Sequence, residues 1–177
     1  RLIGKAYGTS WGVKHHTPEG GHGPGGPGLY DSSTTPPPGG FLTNLYNHHD
    51  LSEMALYPCA YSMTFNVTGK TLNAILHQRS QDMLTANGWN VMQYAVLVHL
   101  LAQVSGLEAG ELVHVIADAH IYDATSPGGG TVTRKPYPAP KLWLDPGVTD
   151  FYAFTTDHLR LEGTNGHELG EKIPVAI

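Results

Sequence analysis

Residues 60–80 read AYSMTFNVTGKTLNAILHQRS, and this stretch decides how the chain folds. Tyr61, Met63, Phe65 and Val67 alternate with Ser62, Thr64 and Asn66, the period of a half-buried strand. Thr68-Gly69-Lys70 supplies a turn and Leu72, Ala74 and Leu76 resume the alternation, so a β-hairpin is expected with Arg79 and Ser80 at its end. Downstream, residues 89–104 (WNVMQYAVLVHLLAQV) form the longest apolar segment. Helix formers dominate it and apolar groups occupy most faces, which predicts a central buried helix. Glu108-Ala109-Gly110-Glu111 interrupts the pattern before a further expected strand, Leu112–Tyr122. Pro136, Pro138 and Pro140 then punctuate an extended segment entering Lys141-Leu142-Trp143-Leu144. Strands and a helix in this order predict an α/β or α+β fold.

At 177 residues the chain has the length of one domain, residues 1–177, and its 40% hydrophobic and 14% charged residues are those of a packed globule. The excess of Gly and Pro lies in residues 17–40, where 14 of 24 positions are one or the other. No regular helix survives that composition, so a long loop is expected there. A net charge of -5 offers no general field for nucleic acid. One cysteine excludes an internal disulfide, and no apolar run reaches the roughly 18 residues of a membrane span. A reducing cytoplasm is the expected location. The chain opens on Arg1 rather than Met and is read as a fragment.

Cys59 precedes the first hairpin strand, where a fold can present a side chain rigidly, and Arg79 at the far end of the hairpin can return a guanidinium beside it. A lone cysteine is more often a small buried hydrophobe, and a strand arginine a surface charge. His114, Asp118 and His120 share one face of the expected strand, but three ligands from one strand cannot close tetrahedrally around a metal ion. No metal site is assigned. Hydrogen bonding of a polar ligand by His120 and Tyr122 is the better reading. Gly69-Lys70-Thr71 fails as a phosphate-binding loop, since Thr64 stands where a Gly is needed and the segment joins two strands. Asn66-Val67-Thr68 fits a glycosylation sequon with no other sign of secretion.

Six segments in order resemble the thymidylate synthase family. Met54-Ala55-Leu56-Tyr57-Pro58-Cys59 is similar to its Met-Ala-Leu-x-Pro-Cys nucleophile motif, and Gln78-Arg79-Ser80-Gln81-Asp82 to Gln-Arg-Ser-x-Asp. Trp89-Asn90-Val91-Met92-Gln93-Tyr94-Ala95 is similar to Phe-Asn-Ile-x-x-Tyr-Ala, and Asp118-Ala119-His120-Ile121-Tyr122 to Asp-x-His-x-Tyr. The proline-rich strand entry at residues 134–142 and the terminal Pro174-Val175-Ala176-Ile177 complete the set. The resemblance implies a mixed sheet with a central buried helix, and a homodimer. It implies transfer of a one-carbon unit from 5,10-methylenetetrahydrofolate, without a metal, to C5 of a pyrimidine nucleotide. Neither nucleic acid nor a membrane is implied as a partner. Cys59 would attack C6 of the base. Arg79 would hold the phosphate and favour the thiolate, with Ser80 as a further phosphate donor. Asn90 would read the N3–C4 edge, His120 and Tyr122 would bind the sugar hydroxyl, and Asp82 the pterin. Tyr7 would line the cavity near C5, and the C-terminal Ile177 would close over the folate.

The sequence also departs from the family. The segment carrying its catalytic Glu, phosphate-loop Arg and cavity tryptophans is not in this chain, which corresponds to the C-terminal two-thirds. Gly39-Gly40 occupy the expected positions of two arginines that reach a partner's phosphate, and Ala60 stands where His usually follows the nucleophile. Ala124-Thr125 replace an Asn-His pair. Ala60 is expected to alter the wall around the sugar. Three readings stay open: methylation of deoxyuridylate, a pyrimidine nucleotide 5-hydroxymethylase, and a non-catalytic nucleotide- or partner-binding paralogue.

Overall fold

The computed structural model describes residues 41–46, 48, 50–123 and 134–167. The Gly/Pro-rich residues 17–40, with Gly39-Gly40, and Tyr7, Ala124-Thr125 and Ile177 all lie outside them.

The expected hairpin is present. Strand β2 spans Ala60–Thr68 and β3 spans Thr71–Gln78, paired antiparallel from Ala60↔Gln78 to Thr68↔Thr71. Gly69 opens the two-residue connection at φ 62, a backbone region closed to most side chains and required at that position of a tight hairpin turn. Strand β1, Phe41–Asn44, adds antiparallel to the outer edge of β2.

The predicted helix is α1, Asn87–Val104. It ends because Gly106 takes φ 64, letting its amide bond the Gln103 carbonyl at 3.1 Å and the Leu107 amide bond the Ala102 carbonyl at 2.8 Å. These two reverse bonds satisfy carbonyls the helix leaves orphaned, and they turn Leu107 back against the buried apolar cluster. Strand β5, Glu108–Ile116, follows at once and pairs parallel with β3, giving a mixed four-stranded sheet in the order β1-β2-β3-β5. Beyond Gln78 and Ile116 the two chains part and pair again as β4, Gln81–Asp82, and β6, Ala119–His120. Strands β7, Lys141–Leu144, and β8, Leu159–Glu162, form a separate antiparallel pair with the Arg160 guanidinium stacked 3.8 Å over the Trp143 ring.

Met63 and Phe65 of β2 and Leu72, Ala74 and Leu76 of β3 pack against Tyr94, Leu97, Val98, Leu101 and Ala102 of α1. Burying each of the larger apolar side chains contributes roughly 1.5–3 kcal/mol. Among the described residues the helix is covered on one face: Trp89 is 73% exposed and Met92 47% exposed. Apolar residues on most faces gave the appearance of all-round burial, and the sheet covers one stripe of them. Among the described residues no helix is long and apolar enough to cross a membrane.

Two expectations about the strands are corrected. Tyr61 does not share the inward face with Met63, because a bulge between Ala60 and Ser62 shifts the register and leaves Tyr61 37% exposed. Glu108–Glu111 is no interruption but the start of β5. Ala109 pairs with Leu72 and Leu112 with Ala74, so β5 carries one extra residue, which breaks the alternation in the sequence without ending the strand. Asn73 fills the irregularity, its side-chain oxygen accepting the Glu111 amide at 3.0 Å. Gly110 is needed beside it, since a Cβ there would lie 2.9 Å from the Leu72 carbonyl oxygen and inside the Asn73 side chain.

Candidate active site

Cys59 is half-buried on the peptide entering β2, and its neighbours hold it from two directions. The Pro58 carbonyl accepts the Tyr46 hydroxyl at 3.0 Å and the Arg79 Nε–H at 3.2 Å. The Arg79 Nη2 donates to the Tyr57 carbonyl at 2.9 Å, and the Arg79 backbone amide donates to the Cys59 carbonyl at 2.9 Å. The hairpin is the reason: pairing Ala60 with Gln78 puts Arg79 directly across from Cys59. A guanidinium carries five donors, so three remain free of these contacts and can meet an anion. Tyr46 carried no signal in the sequence, since it lies in an irregular loop 12 residues from its partner.

Ala60 is 0% exposed and belongs to the apolar cluster under the sheet. Its small side chain is a packing fit there.

The segment from Gln78 to Asp82 passes from β3 to β4 through Arg79 and Ser80. Ser80 is half-buried, and its carbonyl accepts the Gln78 Nε2 at 2.9 Å. Gln78 and Gln81, each 1% exposed, are bonded to one another. Gln81 Oε1 also accepts the Asn90 Nδ2 from the first turn of α1 at 2.8 Å. Sequence reasoning passed over both glutamines. Gln78 lies in phase with Leu72, Ala74 and Leu76, and that alternation was the available sign that it is buried.

Asp82 faces His120 across β4 and β6. Its Oδ1 accepts the Leu84 amide at 3.0 Å and the Thr85 amide at 3.1 Å, and its Oδ2 accepts the Thr85 hydroxyl. Desolvation pushes this carboxyl up, but the Thr85 hydroxyl, the Thr85 and Leu84 amides and the His120 ring together outweigh it and hold Asp82 below the usual carboxylate range. The sign follows: a depressed folded value stabilises the fold above the ordinary carboxylate pKa, and that stability is lost as pH falls through the folded value. Asp82→Asn is expected to lower the urea midpoint modestly at neutral pH, because solvent screens a half-buried group. The gap to wild type should close as the pH is lowered through the carboxylate range. A gap that stays constant down to pH about 2 would contradict this.

His120 is 25% exposed at the side chain, with Nδ1 3.3 Å from Asp118 Oδ2 and its ring edge-on to Tyr122 at a centroid distance of 4.8 Å. The expected single strand carrying His114, Asp118 and His120 is corrected here. It breaks after Ile116: the Ala117 amide makes the last bond of the β3–β5 ladder, to the Gln78 carbonyl at 3.0 Å, and the chain then moves to the second pair of strands. His114 stays on β5 and bonds Gln78, while His120 stands over Tyr122. Among the described residues no group of three His, Cys, Asp or Glu side chains is gathered as a metal site.

The segment from Gln78 to Asp82 thus joins Arg79 to Cys59, Gln81 to Asn90, and Asp82 to His120, whose ring meets Tyr122. The thymidylate synthase family model matches residues 1–177. The thymidylate synthase of Clostridium beijerinckii is 46% identical over 130 residues, covering 72% of this chain and 49% of that protein. That of Bacillus licheniformis is 42% identical over 121 residues, covering 68% and 43%. A solved structure, thermostable thymidylate synthase A from Bacillus subtilis, aligns with a TM-score of 0.81 at 35% identity over 94% of this chain and 61% of that one. The chain spans about half the length of the curated relatives it matches.

Proposed function

Because the chain belongs to the thymidylate synthase family, we propose that the whole protein methylates C5 of deoxyuridylate through a covalent adduct at Cys59. The observation that carries this reading is the clamp of Arg79 on the Tyr57 and Pro58 carbonyls, which fixes a cation against the peptide bearing the nucleophile. The Cys59 sulfur adds to C6 of the pyrimidine, and the electron pair displaced onto C5 makes that carbon the nucleophile for the one-carbon unit. Arg79 and Ser80 face the phosphate, Asn90 the N3–C4 edge, and His120 and Tyr122 the sugar hydroxyl.

Bound 5,10-methylenetetrahydrofolate supplies the one-carbon unit and the hydride that reduces it to a methyl group. The residues fit it at Asp82: an ionised carboxylate has about four acceptor sites, and three are used by Leu84 and Thr85. The fourth is available to a pterin N–H, and the depressed pKa of Asp82 keeps it an acceptor.

A homodimer is part of this reading. Leu42, Ile75 and Val113 are 63%, 36% and 47% exposed, and the strand register sets them, with Thr64, in one row across the sheet face opposite α1. An apolar row of that kind is what a second copy would cover.

The test incubates the full-length protein with deoxyuridylate and methylenetetrahydrofolate and identifies the folate product. Dihydrofolate is expected. Tetrahydrofolate with a hydroxymethylated nucleotide would establish the hydroxymethylase reading instead, and neither product would establish the non-catalytic one.

A further inference from the structure

We infer that Gln81 is a positioning residue that holds the Asn90 carboxamide in one of its two orientations and so lets the site read a single pyrimidine pattern. This rests on the reading of Asn90 as the residue that meets the base.

A carboxamide turned by half a rotation exchanges its donor and its acceptor. In one orientation Asn90 matches uracil, which offers a donor at N3 and an acceptor at O4. In the other it matches cytosine, which offers an acceptor at N3 and a donor at N4. Asn90 alone therefore does not choose a base.

The choice is made by a buried chain of hydrogen bonds that begins on a group unable to turn over. The Ser80 backbone carbonyl only accepts, and Gln78 Nε2 lies 2.9 Å from it, which settles which end of Gln78 is the NH2. Gln78 Oε1 then faces His114 Nε2 at 2.8 Å, so that ring nitrogen carries the proton and donates. Burial pushes the His114 pKa down, which favours the neutral ring. The second N–H of Gln78 goes to Gln81 Oε1, and Gln81 Nε2 donates to Asn87 Oδ1 at 3.2 Å. Gln81 Oε1 can only accept, so Asn90 must present Nδ2 to it, as it does at 2.8 Å. One N–H and the whole of Oδ1 are left to Asn90 for a ligand. With Gln78 and Gln81 each 1% exposed, no water competes for these positions, and flipping any member sets donor against donor or acceptor against acceptor.

The experiment uses the full-length protein, uniformly 15N-labelled, as wild type, Gln81→Met and Gln81→Glu. Methionine keeps the side-chain length and removes the acceptor; glutamate keeps the acceptor, and Asn87 can turn its amide to meet the second oxygen. Two quantities are read: hydrogen exchange of the Asn90 side-chain NH2, and the ratio of dissociation constants for deoxycytidylate and deoxyuridylate. Exchange should quicken and the ratio fall by about tenfold in Gln81→Met, with both restored in Gln81→Glu. Circular dichroism confirming folded Gln81→Met with unchanged Asn90 exchange would overturn the inference, as would an unchanged nucleotide ratio. Slow exchange in the wild type, quickened in Gln81→Met, with no binding of either nucleotide would support the clamp and remove the reading of Asn90 as the base-contacting residue, so the two fail separately.

Discussion

Cys59→Ala is expected to lower kcat by at least about 10⁴-fold and to abolish the covalent complex with a 5-fluorinated deoxyuridylate and methylenetetrahydrofolate. A 5-fluoro substituent blocks release of the C5 proton, so the adduct accumulates and its mass can be read on the intact protein. Cys59 is the one cysteine of these 177 residues, so an adduct mapped to them is an adduct at Cys59. The substitution should leave the fold in place. Cys59 is half-buried, and the hydrogen bonds to the Pro58 and Cys59 carbonyls that hold its peptide remain after the substitution. A Cys59→Ala protein that retains its thermal transition, loses the adduct and loses turnover establishes the nucleophile. Activity within tenfold of wild type would exclude it.

Arg79→Ala is expected to lower kcat/KM by at least about 10²-fold, with a loss of nucleotide affinity as well as of kcat. Two effects combine. The side chain donates to the Tyr57 and Pro58 carbonyls, so its removal frees the peptide that carries Cys59 and leaves a part-buried carbonyl with Tyr46 as its remaining side-chain donor. The remaining donors of the fork are those assigned to the substrate phosphate. Arg79→Lys should restore little, because a single ammonium cannot reach two carbonyls and a phosphate in a planar arrangement. The split between the constants separates the roles: phosphate binding alone would raise KM and leave kcat, whereas loosening of the Cys59 peptide lowers kcat. Full activity in Arg79→Lys would show that charge alone suffices and that the two-carbonyl clamp has no part in catalysis.

The hairpin and the helix were legible because each is a local pattern. Alternation from Met63 to Leu76 with Gly69 between needs only neighbours in the chain, and so does the apolar run over residues 89–104. The motifs around Cys59, Arg79, Asn90 and His120 were legible for a different reason: they match a family as letters, whatever the geometry. What could not be read was phase. The bulges at Ala60/Ser62 and in β5 opposite Asn73 each shift the inward face by one residue. For that reason Tyr61 points out, and Glu108–Glu111 looked like an interruption.

The same slip of phase decides the polar interior of the site. The sequence by itself determined the class of fold and the family, and it supplied the residues proposed to carry the chemistry, since local periodicity and motif order need no register. Only the tertiary structure decided that His114, 36 residues from Gln78, meets it rather than His120, and that Gln81 meets Asn90. The contact of His114 with Gln78 depends on the parallel register of β3 with β5, and that register is set by one extra residue accommodated beside Gly110, a steric fact with no trace in the spacing of the motifs.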